Sequence, residues 1–539
     1  MQAVCSVSPF RLIYLCSFLF LQSVDICSGA RIIISLTNAM RSKSHSFTLA
    51  TISQGLVDHG HHVTVLSGSN RGTDGFKETS FNDSLIYKIP YTQDETDDLQ
   101  DKFTRVSFKK RSIVDYAELL PVAGEYFQVV STSCKSLFDD PSHLQRLKDQ
   151  SYDAIIGIPF CPCDGLLAEY LNISFIAFTA SFRYETFNEF TVGIPAPSSY
   201  VPFPLIEALT DEMTFSERTY NSFYRFVFVK YLLHVWSKPF VAIQQKLHIS
   251  PHLSIDDILG KAKLWLVNTN FALDFPRPTA PVWIPIGGIL AEESKPLQQD
   301  LENFVQGAGK HGVIIFSLGS MVTSLMDGEL DELFAKVFSE LPQRVLWRYV
   351  GPKPRGLGKN TRVMKWLPQN DLLGHPQTRL LIYHGGINGV YEAIYHQVPM
   401  VLLPIFADQP AMGARVSKKG MGVVLERAKL SHDTIKAAIE EVINNPKYKA
   451  NIEHYGSIHR DTITSPLETA VFWIEHVLKF GGDHLRLRGR DLNFFVLNSF
   501  DVLTFFIVIS LVILYTNYLV LRTCYRCCCR KNTRKQKSD

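Results

Sequence analysis

Short apolar runs alternate along this chain with stretches whose apolar residues recur every third or fourth position, a pattern that predicts strands joined by helices. "RIIISL" reads as a buried strand, "SFTLATISQGLVDHG" as a helix closed by Gly60, and "HHVTVLS" as the next strand, which together make a βαβ opening. Further on, "YDAIIGIPF" and "ISFIAFTA" flank the helix-like "CDGLLAEYL". The second half repeats the theme with "GVIIFSLGS", "RVLWRYV", "TRLLIYHGG" and "VPMVLLPIF", separated by helical stretches such as "DGELDELFAKVFSEL". This alternation predicts an α/β protein of two units with parallel sheets, and ligands at the C-terminal strand edges. The Pro/Gly-rich "FPRPTAPVWIPIGGIL", residues 275–290, marks the boundary, giving expected domains over 30–285 and 286–495. The aromatic-dense "NSFYRFVFVKYLLHVW" reads as core or cleft wall rather than as a membrane-surface helix.

Both ends of the chain change that picture. An apolar segment from Leu12 to Leu21 follows Arg11 and leads to "CSGA", the layout of a secretory signal over residues 1–29, cut near Gly29 or Ala30. The alternative is a retained anchor. Val502 to Leu521 carry no charge, and a helix of that length crosses a hydrocarbon layer of about 30 Å. The tail 522–539 has seven Lys or Arg against one acid, so it is expected to stay cytosolic, with the body lumenal, as in a type I membrane protein. Lys535 and Lys537 in "KQKSD" have the spacing of an endoplasmic-reticulum retrieval signal, although a plain solvated basic tail fits as well.

At 539 residues, 46% hydrophobic and 20% charged, the chain can bury large cores and is no disordered protein. The net charge of +3 resides in the tail, and the rest is slightly acidic, which gives a nucleic-acid partner little support. Asn82 and Asn172 begin sequons that suit a lumenal glycoprotein. Only Cys134, Cys161 and Cys163 fall in the expected lumenal part, too few for a disulfide scaffold. Cys524 and Cys527 to Cys529 lie just past the apolar span, where acylation is chemically open.

The candidate chemistry gathers between Trp366 and Gln409. Leu380 to Tyr383 is a strand, His384-Gly385-Gly386 a turn, and "INGVYEAIYH" the start of a helix. Glycines there let backbone approach a ligand, and a helix N-terminus with unpaired N–H groups suits a diphosphate. Trp366 offers a flat face to a planar base, Gln369 an amide for its edge, and Glu392 a carboxylate for two ribose hydroxyls. Asp408-Gln409 closes the next strand. A lipase reading of "YHGG" fails for want of Gly-x-Ser-x-Gly, and an NTPase reading fails for want of a phosphate loop ending in Gly-Lys-Ser/Thr.

The run from Trp366 to Gln409, together with "DFPRP", "FSLGSMV" and "VLWRY", resembles the UDP-glycosyltransferases, membrane-bound animal enzymes that include the UDP-glucuronosyltransferases and ceramide galactosyltransferase. The resemblance implies a GT-B fold, two Rossmann-like domains facing across a cleft, with UDP-sugar on the C-terminal one and a small lipophilic acceptor on the N-terminal one. By position, Trp366 would stack on uracil, Gln369 would bond it, and Glu392 would hold the ribose. His384, Gly386, Asn388, Gly389 and Ser320 would meet the phosphates, and Asp408 and Gln409 the sugar hydroxyls. His45 in "SKSHSF" stands where the family keeps its general base, which takes the acceptor's proton as the hydroxyl attacks the anomeric carbon with inversion. No Asp-x-Asp is present, so no metal is expected, and the UDP-sugar serves as co-substrate rather than cofactor. Membrane-bound members often self-associate, which leaves a homo-oligomer as an open expectation.

The chain departs from the family at the partner of that base. Where relatives carry an Asp at the end of the "YDAIIGI" strand stands Ile158. Asp164 is the candidate in its place, if the "PFCPC" loop folds back, but it reads more simply as a helix N-cap. Tyr383 replaces a small residue and is expected to crowd or reshape the donor pocket, while Gln397 replaces a glycine and stiffens a loop. An alternative reading follows: an anchored protein that binds UDP-sugar or lipophile and has lost transfer. The donor sugar and the acceptor are not fixed by these residues.

Overall fold

The computed structural model describes residues 29–37, 43–109, 113–179, 191–203, 209–319 and 328–535. The expected signal segment up to residue 28, Ser320 and Lys537 lie outside the described residues. The chain forms one compact unit through Arg486 and a second from Leu487 onward.

The first unit holds two sheets. The first contains β1 (Arg31–Leu36), β2 (His62–Gly68), β3 (Asp83–Tyr87), β4 (Ala154–Gly157), β5 (Ser174–Thr179), β6 (Leu264–Val267) and β7 (Trp283–Pro285), in the order β3-β2-β1-β4-β5-β6-β7. The second contains β8 (Val313–Ser317), β9 (Arg344–Arg348), β10 (Thr361–Met364), β11 (Thr378–Tyr383), β12 (Met400–Leu402) and β13 (Gly422–Val424), in the order β10-β9-β8-β11-β12-β13. All pairings are parallel. Central strands such as β4 and β8 are buried at every position, which is why they read as unbroken apolar runs instead of alternating ones.

The GT-B arrangement of two parallel-sheet, Rossmann-like lobes is therefore present, and each sheet has a switch point where strand order reverses, at β1/β4 and at β8/β11. The chain does not stay in its second lobe. The helix Pro466–Phe480 returns to pack on the helix Lys43–Asp58 and on β6 and β7, and Glu475 accepts from His59 and His61 at 3.0 and 3.1 Å. On one side of the cleft the lobes are fused by buried contacts. Asp274 pairs with Arg415 at 2.9 Å, and Tyr391 Oη accepts the Asn270 N–H at 2.6 Å.

Two expectations need correction. Within the aromatic stretch, Phe223, Phe226 and Tyr231 are exposed, and among its aromatic residues with described side chains Trp236 alone is buried. The cysteines also build more than was anticipated, because Cys134 and Cys163, both buried, form a disulfide that ties the helix Ile113–Phe138 to the helix Cys163–Leu171. Apolar packing still dominates, as in the second lobe's core, where Phe316 stacks on Phe334 at 4.8 Å beside Trp347.

The second unit consists of a short helix Phe494–Leu497 and one continuous helix Phe500–Lys535. Among the described residues, Phe500–Cys528 is the one helix long and apolar enough to cross a membrane, with mean hydropathy 2.1. It overruns the expected end at Leu521 into the basic tail, since nothing between Arg522 and Lys535 breaks a helix.

Candidate active site

The candidate donor half is built where β11 ends. Leu380 to Tyr383 are buried, the chain turns through His384, Gly385 (φ +88°) and Gly386, and the helix Ile387–Tyr395 begins with Gly386 at its N-cap and no side chain capping it. Of the first-turn N–H groups, that of Gly389 meets the Tyr383 hydroxyl, and those of Ile387 and Asn388 are left for a ligand. The glycines are sterically required. A Cβ on Gly386 would lie 2.6 Å from the His384 ring, and one on Gly389 would lie 2.4 Å from the ring of Tyr383. Tyr383 is buried beneath the first turn of the helix, in the space Gly389 vacates, with its hydroxyl pushed to higher pKa by burial and by Glu392.

His384 is half-buried. Burial first, and then the Arg348 charge, hold it down to about 3, so the imidazole is neutral and offers one N–H and one lone pair. Its Nδ1 is buried without a protein partner among the described residues. Gly319 (φ +74°) packs against the same ring.

Gln369, first residue of the helix Gln369–Leu373, donates from Nε2 to Glu392 at 2.6 Å. Burial pushes the Glu392 carboxyl up to about 7, against the lowering effect of Gln369. The two residues expected to hold base and ribose are therefore already paired. Trp366 presents a ring that is 54% exposed. Arg348 lies over that ring at 5.9 Å and donates to the Gly319 carbonyl. Its role was not anticipated, yet it is the last residue of β9, and the strand-edge rule that picked out His384 points to it equally.

In the loop beyond the following strand, Asp408 stands at the N-cap position of the helix Gln409–Lys418 without a side-chain capping bond. Gln409 is buried, and its Oε1 accepts from the N–H groups of Ile405 and Phe406 at 2.7 and 3.1 Å. That oxygen serves the turn around Ala407, a left-handed residue at φ +60°, so only the Nε2 end remains to donate to a sugar. Gln397 is likewise left-handed at φ +60°, a conformation that explains why glycine is favoured at this position.

Across the cleft, His45 is half-buried in the first turn of the helix Lys43–Asp58. The carbonyl of its neighbour Ser44 lies 3.5 Å from Asn388 Nδ2, and Phe47 meets Trp366 edge-on at 6.4 Å. The segment that carries the base candidate thus adjoins the turn after β11. Asp164 does not cap its helix, since Pro162 occupies that position. The Asp164 side chain turns back to the end of β1, accepting from Ser35 at 2.5 Å, Thr37 at 2.6 Å and the Ile158 N–H at 3.0 Å. None of these partners is His45. Burial raises its pKa to about 6, and the three donors oppose that rise.

The two-lobed fold and the donor turn define a glycosyltransferase of the GT-B class. The crystallised glycosyltransferase of kitacinnamycin superposes with a TM-score of 0.56 at 17% identity, over 84% of this chain and 99% of that one. The calicheamicin glycosyltransferase gives 0.54 at 18% identity, over 84% and 99%. The class narrows by sequence, for this chain belongs to the family described as UDP-glucoronosyl and UDP-glucosyl transferase, whose model matches residues 35–535. UDP-glucuronosyltransferase 2B1 of Rattus norvegicus is 38% identical over 92% of this chain and 94% of its own length. UDP-glucuronosyltransferase 2A3 of Cavia porcellus is 36% identical over 88% and 90%.

Proposed function

We propose that this protein transfers a hexose or hexuronic acid from a UDP-sugar to a hydroxyl of a small lipophilic acceptor, inverting the anomeric centre, with His45 as general base. The observation that carries this reading is the uncapped, glycine-lined N-terminus of the helix Ile387–Tyr395 set opposite the segment holding His45. Trp366 receives uracil, the Gln369–Glu392 pair receives base and ribose, and the first-turn N–H groups with neutral His384 hold the diphosphate. His45 accepts the acceptor proton as the C–O bond forms, and UDP departs as an anion stabilised by the helix terminus. With the Asp164 oxygens engaged by Ser35, Thr37 and Ile158, the imidazolium lacks that carboxylate's support, so turnover is expected to be slower than a His–Asp dyad would give.

The helix Phe500–Cys528 anchors the chain in the endoplasmic-reticulum membrane with both lobes lumenal. An oxidising lumen suits the Cys134–Cys163 disulfide. The test uses microsomes carrying the full chain, offered several UDP-sugars with mixed phenols, sterols and ceramides, and follows UDP release. His45→Ala is expected to lower turnover by about 10³-fold while leaving UDP affinity within about twofold. A His45→Ala chain that turns over like the wild type would remove His45 as the base.

A further inference from the structure

Asn268 is the first residue after β6 and is buried, 1% exposed. Its Oδ1 accepts the Gly288 backbone N–H at 3.3 Å. A backbone N–H can only donate, so the carbonyl end of the Asn268 amide must face Gly288 and its NH2 must face the other way. There it donates to Asn388 Oδ1 at 2.8 Å. Asn388 is thereby oriented in turn, with its oxygen held by Asn268 and its NH2 directed toward the Ser44 carbonyl at 3.5 Å. One backbone N–H just after β7 thus determines which end of the Asn388 amide faces the residue preceding His45. The mounting is rigid, since the same loop is bolted to the second lobe by Asn270–Tyr391 and Asp274–Arg415.

We propose that Asn268 is a positioning residue for sugar transfer: by fixing the amide of Asn388 it sets where the Ser44–His45 segment stands relative to the donor turn. The proposal rests on the transferase reading given above. Asn388 keeps a second N–H hydrogen for the donor, so occupancy of the turn is felt at the segment that carries the base.

The experiment compares full-length wild type with Asn268→Asp and Asn268→Ala. Asp keeps an acceptor for Gly288 N–H but removes the donor to Asn388, which separates positioning from local structure. UDP binding is measured by calorimetry on the detergent-solubilised chain. Hydrogen exchange of residues 43–58 is followed with and without UDP, and kcat and donor KM are measured with the UDP-sugar and phenol that wild type accepts. Both variants are expected to bind UDP within about twofold of wild type and to keep donor KM. Both should lose about tenfold in kcat and lose the slowing of exchange that UDP produces over residues 43–58 in wild type. An Asn268→Asp chain with wild-type kcat and wild-type protection would overturn the proposal, and so would loss of UDP binding in Asn268→Asp. If Asn268→Ala does not fold, Asn268→Asp decides alone. Failure of the transferase reading looks different, namely a wild type that binds UDP and releases none from any UDP-sugar, and the exchange measurement still judges Asn268 in that case.

Discussion

The two switch points of this molecule are built alike and used in opposite ways. Beyond β4 and beyond β11 the chain turns and starts a nine-residue helix, Cys163–Leu171 in the first lobe and Ile387–Tyr395 in the second. Each helix N-terminus is a seat for negative charge. In the second lobe no carboxylate of the chain fills the seat: Gly386 stands at the N-cap, Gly389 clears the Tyr383 ring, and neutral His384 lies beside them. In the first lobe the chain supplies its own anion. Asp164, in the first helical turn, lies against Gly157, where an added Cβ would come within 2.2 Å of its Oδ2, and takes three hydrogen bonds from Ser35, Thr37 and Ile158. One carboxylate thus fills this crevice of the first lobe as a structural plug.

The largest effect expected from breaking this contrast is on stability. Asp164→Ala strands three buried donors at the end of β1 and β4 and should cost about 3 kcal/mol in denaturant unfolding of the first unit. UDP affinity of the folded chain should stay within about twofold, and a marked fall would mean that the two crevices are coupled. Closing the open seat comes next. Gly389→Ala drives a methyl into the Tyr383 ring and should weaken UDP about tenfold by calorimetry, with Tyr383→Thr in the same chain recovering most of the loss. If the double variant binds no better than Gly389→Ala, the glycine serves something other than clearance over Tyr383.

The smallest effect is a pH dependence. With Glu392 pushed up to about 7 by burial, the carboxyl is protonated below that pH and ionised above it, and only the ionised form accepts both ribose hydroxyls fully. Uridine, which lacks the titrating phosphate of UDP, should therefore bind a few-fold tighter at pH 8 than at pH 6. Glu392→Gln should abolish that slope, and a slope that survives the substitution would assign the proton elsewhere.

Much of the donor lobe was legible in the chain because its chemistry is local. Strand, glycine turn and helix are consecutive, Gln369 and Glu392 ride on short helices, and Trp366 stands in the loop just before the first of them. What escaped reading there was Arg348, which stands in "VLWRY" with no role read for it and matters through its reach to Gly319 and Trp366. The first lobe was less legible because its relations are long-range. Asp164 meets Ser35 and Thr37 across more than a hundred residues, and Cys134 meets Cys163 across two helices. The aromatic stretch around Phe223 misled for a simple reason: aromatic density predicts burial only where a partner surface exists, and Phe223, Phe226 and Tyr231 have none covering them.

By itself, the order of residues determined two parallel α/β lobes, a glycine-bounded donor turn and an apolar terminal helix, since periodicity and steric permission act over a few neighbouring positions. Only the tertiary structure decided that Asp164 plugs its own crevice, that Asn268 orients Asn388 toward Ser44, and that the helix Pro466–Phe480 returns to the first lobe. Those outcomes depend on which distant groups meet once the sheets are buried, where every enclosed donor must find an acceptor.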